Sequence, residues 1–197
     1  EFRRVLFRSW FFCDQTVPTE TLNILSRQPE CRVMVADSTK ERQHRLFWRF
    51  WAAAYEEVDV MLVRDTDSRI GQREQLAVQD WLTNHNTGFH IMRDSPQHSV
   101  PICGGMWGCR ADRLRNIRQM INRYYDLGRD QQVRFGVDQD FLMEVVWPIA
   151  QHDCTEHDEF FAKKPFPYIP RHERYYVGRA FGTTCPDFAQ HTKKLPR

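Results

Sequence analysis

Residues 58–69, VDVMLVRDTDSR, constrain the fold more than any other stretch of the chain. Four apolar residues, Val60, Met61, Leu62 and Val63, stop at Arg64-Asp65-Thr66-Asp67, with Ser68-Arg69 following. An almost unbroken apolar run of strand length predicts a strand buried on both faces, as in a parallel sheet covered by helices. Ligands of open α/β sheets lie beyond the carboxyl ends of such strands, and here the charged residues begin at that point. Asp65 and Asp67, flanked by Arg64 and Arg69, match what a divalent cation and a diphosphate need. Hard cations take one or two carboxylates together with substrate phosphate oxygens. Asp and Ser are also ordinary turn residues after a strand, so the surrounding sequence has to separate the two readings.

That surrounding sequence alternates in the α/β manner. Short apolar runs at 10–13 and 32–36 predict strands, ending at Asp14 and Asp37. Between them, residues 17–25 predict a helix, with Pro18 in its first turn and Thr16 as a cap. Residues 40–55 predict a helix with a broad aromatic face of Phe47, Trp48, Phe50 and Trp51. Arg49 sits among these aromatics, either snorkelling to water or reaching a phosphate. Residues 72–84 predict an amphipathic helix with Leu76, Val78, Trp81 and Leu82 inward. Residues 89–92 predict a strand ending in Arg93-Asp94.

Three glycines, Gly104, Gly105 and Gly108, surround Met106-Trp107 and allow either a close backbone approach to a ligand or a tight turn with two core side chains. Residues 111–125 predict a helix, because Leu114, Ile117, Ile121 and Tyr124 recur at helical spacing. Asp138-Gln139-Asp140 opens a further helix carrying Phe141, Leu142, Val145 and Val146 inward, which Pro148 should end. Asp138 also suits a simple cap. The final stretch, rich in His, Tyr and Pro, reads as irregular.

A chain of 197 residues suits one domain with a substantial core. A net charge of +2 gives no electrostatic case for nucleic acid or a membrane surface as partner. No apolar run approaches the roughly 20 residues that cross a bilayer, and no signal peptide is visible. The six cysteines lack metal-finger spacing, so free thiols in a reducing, cytoplasmic compartment are expected. A zinc site from Cys103, Cys109, Cys154 and nearby histidines has no recognised spacing to support it. Residues 1–9, basic and without a period, are read as a non-native scar and set apart from the domain at 10–197.

Taken in order, FWRF, VRDTDSR, FHIMRD, GGMWG, GVDQDFL and HDEF resemble a group of glycosyltransferase-like proteins of bacteria and large viruses with the GT-A fold. The resemblance runs from about Trp10 to the end of the chain. It implies a single Rossmann-like α/β domain with a mixed, mostly parallel sheet flanked by helices. In such enzymes the Asp-x-Asp motif binds a divalent metal that grips the diphosphate of a nucleotide sugar. Asp65 and Asp67 would then hold Mn²⁺ or Mg²⁺, which neutralises charge on the leaving nucleoside diphosphate. Arg49, Arg64 and Arg69 would share that charge, since a guanidinium suits phosphate geometry.

The same resemblance assigns Gly104, Gly105, Met106 and Trp107 to the donor-sugar or acceptor pocket, with Trp107 as a flat wall for a sugar face. Asp138, Gln139 and Asp140 match the Asp-Gln-Asp beside the sugar in the distantly similar glycogenin-like galactosyltransferase family. A carboxylate there contacts the sugar in retaining enzymes and acts as general base in inverting ones. A late histidine often completes the metal site, which points to His191, with His157 as rival. GT-A domains usually carry a nucleotide-cradling strand and loop upstream of the strand matched here at residue 10, so a shortened N-terminus is expected.

The resulting expectation is a metal-dependent glycosyltransferase using a UDP- or GDP-sugar and a glycan or polysaccharide-precursor acceptor. A non-catalytic carbohydrate-binding module and a sugar nucleotidyltransferase are the alternatives. The latter usually carries an early glycine-rich phosphate loop, which is not found here.

Overall fold

The computed structural model describes residues 8–39, 43–128, 136–167 and 176–180. Strand β1 (Ser9–Cys13) leads through helix α1 (Thr19–Ser26) to β2 (Cys31–Val35), and the two strands pair in parallel as a sheet of their own. Pro18 occupies the position just before α1, while Thr16 gives its hydroxyl and backbone N–H to Asp14 rather than capping the helix.

Strands β3 (Val60–Val63), β4 (Phe89–Arg93), β5 (Trp107–Arg110) and β6 (Cys154–Asp158) form a second sheet in the order β3-β5-β4-β6. β5 runs antiparallel to both its neighbours and β6 runs parallel to β4, so only β5 opposes the other three. The architecture is α/β with mixed sheets and flanking helices, as the sequence pattern implies.

The apolar run of β3 does not take the position expected of it. It is an edge strand of the described sheet, burying Met61 and Val63 but only partly covering Val60 and Leu62. The strand covered on both faces is β4, where Phe89, His90, Ile91, Met92 and Arg93 are all buried. β5 and β6 escaped the sequence reading. β5 is only four residues long, and β6, CTEHD, alternates polar groups that are buried in pairs instead of lying in water.

Residues Arg45–Ala54 form a 3-10 helix rather than an α-helix. Three residues per turn place every third side chain on one ridge. Phe47, Phe50 and Ala53 form the fully buried ridge, Trp48 and Trp51 the next, and Arg49 lies on the ridge that is only half buried. Rings of Phe47, Phe50, Tyr124 and Phe141 meet mostly edge to face around this core.

Helix α2 (Gln72–Asn84) has the expected bounds, with Glu74, Ala77, Val78 and Trp81 buried while Leu76 and Leu82 are half covered. A 3-10 turn (Ala111–Leu114) precedes α3 (Ile117–Asp126), and the predicted inward residues Leu114, Ile117, Ile121 and Tyr124 are all buried. Pro148 does not stop the helix it was expected to end. α4 (Val137–Phe141) passes through a π-helical turn (Leu142–Val146) into α5 (Trp147–Ala150), with Pro148 at the start of α5. A widened turn just before proline accommodates its missing N–H and ring.

Among the described residues no helix is long and apolar enough to cross a membrane. The described cysteines, Cys13, Cys31, Cys103, Cys109 and Cys154, are free thiols.

Candidate active site

The sheet register explains how distant motifs meet. Val63 of β3 lies opposite Trp107 of β5. Counting two residues past Val63 reaches Asp65, and two residues before Trp107 reaches Gly105. A side chain at Gly105 would start 2.2 Å from Asp65 Oδ2, so the loop passes the carboxylate as closely as a backbone can. That is why glycine is needed here: the close neighbour is the chain's own acid. At Gly104 an added Cβ would lie 3.6 Å from Asp138 Oδ2 and 3.8 Å from an Arg49 guanidinium nitrogen, ordinary contact distances.

Arg49 joins these groups. Its Nη1 donates to Asp65 Oδ1 at 2.5 Å and its Nη2 to Asp138 Oδ2 at 2.7 Å. Its Nε donates to the Leu46 carbonyl at 3.1 Å, which fixes the side chain along its own helix. The Asp65 side chain is 50% exposed and that of Asp138 only 7%, so one guanidinium links a solvent-facing acid to a covered one. Asp138 sits in the first turn of α4 after Gly136, whose φ of 92° lies in the left-handed region open to glycine. His44, which caps the 3-10 helix by accepting from Leu46 N, feels the Asp138 charge, but burial dominates and pushes its imidazole below its ordinary value.

Gln139 acts on the loop. Its Nε2 donates to the Ile102 carbonyl at 2.6 Å and its Oε1 accepts from Gly104 N at 3.0 Å. Both ends of the amide are thus spent on holding the glycine loop. Asp140 is half buried on the same helix. The motif turn is closed by Ser68, whose N–H and hydroxyl both donate to the Asp65 carbonyl, and Ser68 pairs with Ala180 in a short antiparallel bridge. Asp67 and Arg69 are exposed in this turn.

Other expected residues are placed elsewhere. Trp107 is 0% exposed and packs edge-on against Phe50, so it offers no open face to a sugar. Met106 is buried against Gly178, which it touches closely enough to exclude any side chain there. The Arg64 guanidinium is committed to Glu74 of α2 and to the carbonyls of Val63 and Trp107, at 2.6 and 2.9 Å. His157 lies buried between His90 and Asp80, with one ring nitrogen 2.8 Å from His90 Nε2 and the other 3.3 Å from Asp80 Oδ2. His191 falls outside the described residues.

The donor set fits a hard divalent cation of the kind that needs few protein ligands. Asp65 and Asp67 both offer carboxylate oxygens in one exposed turn. Among the described residues no cluster of three or more His, Cys, Asp or Glu forms a full protein cage.

No family model matches the chain, and no curated protein matches it. A solved structure with a similar fold is the crystal structure of a glycosyltransferase involved in the glycosylation of the major capsid of PBCV-1. The identity is 14%, the TM-score is 0.50, and the match covers 95% of this chain and 100% of that one. At that identity the likeness is one of fold, and it places this chain's α/β architecture beside that of a glycosyltransferase.

Proposed function

We propose that this chain is a glycosyltransferase that moves a sugar from a nucleotide-sugar donor, a UDP- or GDP-sugar, to a glycan acceptor. The observation that carries the reading is the convergence of Asp65, Arg49 and Asp138 beside the glycine loop, at the carboxyl end of β3. A fold supports many chemistries, so the likeness to a capsid glycosyltransferase adds plausibility while the site bears the argument.

In this reading Asp65 and Asp67 would hold Mn²⁺ or Mg²⁺, which would supply positive charge against a departing diphosphate. Arg49 faces the same diphosphate, and its planar fork suits two phosphate oxygens. Asp138, on the covered side, is placed to contact the transferred sugar or the acceptor hydroxyl. Gln139 positions the loop without touching substrate. Arg64 and Trp107 serve the scaffold, which narrows the substrate-facing set to Arg49, Asp65, Asp67, Asp138 and the Gly104-Gly105 backbone, with Arg69 and Asp140 at its margin.

The test is release of UDP or GDP from a panel of nucleotide sugars, with and without Mn²⁺. Asp65→Ala combined with Asp67→Ala should abolish a release that the unaltered chain shows only with the metal. Release that survives both EDTA and the double substitution would overturn the reading. Glycan binding without any turnover, unchanged in EDTA, would point to a carbohydrate-binding module instead.

A further inference from the structure

We infer that Arg49 is a built-in counter-cation, which holds the carboxylates of the site until a diphosphate draws it away and lets a divalent ion take its place. The inference rests on the function proposed above and concerns the order in which that site fills.

The argument begins with charge. Asp65 and Asp138 belong to elements far apart in sequence, the turn after β3 and the first turn of α4. Two carboxylates this close to one another repel unless something positive lies between them. Arg49 fills that place, with one nitrogen on each acid at 2.5 and 2.7 Å and the third held by its own helix. Asp65 Oδ1 is therefore already occupied. A divalent ion approaching Asp65 meets a guanidinium on the same oxygen and is repelled by it. Ion and arginine compete for one carboxylate.

A nucleoside diphosphate changes the balance. Its paired phosphate oxygens offer the guanidinium a two-pronged partner in place of two separate acids. The Arg49 side chain is 26% exposed, so the fork can turn toward such a ligand without unpacking the core. Asp65 Oδ1 would then be free to take part in holding a cation. The coupling is reciprocal: whatever the nucleotide adds to metal affinity, the metal adds to nucleotide affinity. Arg49 becomes the residue that makes binding of the bare metal weak and binding of metal with nucleotide strong.

The experiment is a titration of Mn²⁺ followed by electron paramagnetic resonance, which reads free Mn²⁺ and needs no turnover. It is run on the full chain and on Arg49→Gln and Arg49→Lys, each without nucleotide and with UDP or GDP. Freeing one charge-assisted bond corresponds to an affinity gain of about tenfold. Arg49→Gln should therefore bind bare Mn²⁺ about tenfold tighter than the unaltered chain, and the further tightening by nucleotide should shrink. Arg49→Lys, which keeps the charge but reaches one acid at a time, should fall between. Thermal melting of each variant identifies any that fails to fold, and the lysine form then decides.

Equal Mn²⁺ affinity in all three folded proteins, or weaker binding in both variants, overturns the counter-cation role while leaving the glycosyltransferase reading intact. Absence of Mn²⁺ binding in every protein, with and without nucleotide, removes the metal-dependent reading and this inference together.

Discussion

Two adjacent glycines with the same sequence environment have different reasons to exist. Gly105 lies where a Cβ would start 2.2 Å from the Asp65 carboxylate, whereas the nearest atom to a Cβ at Gly104 is 3.6 Å away. Gly105→Ala must displace Asp65 and, through it, the Arg49 link. Misplacing a reacting group by about 1 Å can lower a rate about a hundredfold. Metal-dependent donor hydrolysis by Gly105→Ala should drop by about that factor, while Gly104→Ala stays within about twofold of the unaltered chain. Similar losses in the two variants would mean that the whole loop contacts substrate. The sequence left these glycines open between a close backbone approach and a tight turn. It could not show which one, because the constraint comes from a carboxylate forty residues away in the chain that only the β3–β5 register brings close.

At the scale of elements, α2, β4 and β6 enclose a chain of polar groups that no part of the proposed chemistry uses. His157 Nε2 lies 3.3 Å from Asp80 Oδ2 and its Nδ1 lies 2.8 Å from His90 Nε2. If His157 donates to Asp80, it must accept from His90. His90 Nδ1 is then a bare lone pair, in keeping with its being buried without a hydrogen-bond partner. His90 also stacks on Trp81.

Burial pushes the His90 imidazole well below its ordinary value, with the charges of His157, Arg64 and His85 adding to the effect. His157 is also lowered, by burial first, although Asp80 pulls the other way and His85 and Arg73 oppose charging. Both rings are therefore neutral in the fold and take up protons once unfolded. Their stabilisation is complete above the unfolded value near 6.5 and declines as the pH falls from there toward the depressed folded values. Unfolding free energies from urea titrations should drop between pH 7 and pH 5, with a slope of at most ~1.4 kcal/mol per pH unit for each histidine. His90→Phe, which can still stack on Trp81, should flatten that slope. An unchanged slope would assign the acid sensitivity to other groups. In the sequence FHIMRD and QHDC-TEHDEF gave no warning of this pairing, since the two histidines are joined only by the parallel register of β4 and β6.

For the molecule as a whole, what was legible was periodicity. Strands β1 to β4, helix α2 and the inward face of α3 could be read from apolar spacing. What was not legible was pairing. The run at 60–63 looked central because it is apolar, yet it is an edge strand, and a strand covered on both faces contains His90 and Arg93, buried with His157 and Asp158 as hydrogen-bond partners. The family resemblance made Trp107 a ligand wall, yet the nearby glycines serve Asp65 and Leu62, and the ring fills the core. Asp65 and Asp138 stood out by their motifs and Arg49 as a cation among aromatics suited to a phosphate, while the link from that arginine to both acids was not legible.

The 3-10 helix that carries this arginine is also a measure of length. Ten residues at about 2.0 Å each reach about 20 Å, against about 15 Å at α-helical pitch. Runs beyond three or four residues are uncommon, and this one is clasped at both ends. Gln43 binds Trp48, Trp51 and α3 at the front, and Arg115 grips the carbonyls of Ala53, Tyr55 and Val58 at the rear. If loosening the rear clasp lets the segment contract toward α pitch, Arg49 leaves its ridge and its two acids. Arg115→Ala should then reproduce part of the tighter Mn²⁺ binding expected of Arg49→Gln, and unchanged binding would show the front clasp to be sufficient. Tighter binding in Arg115→Ala would mean that the electrical state of the site is set like a gauge block, by the length of a strut and the grip on its end.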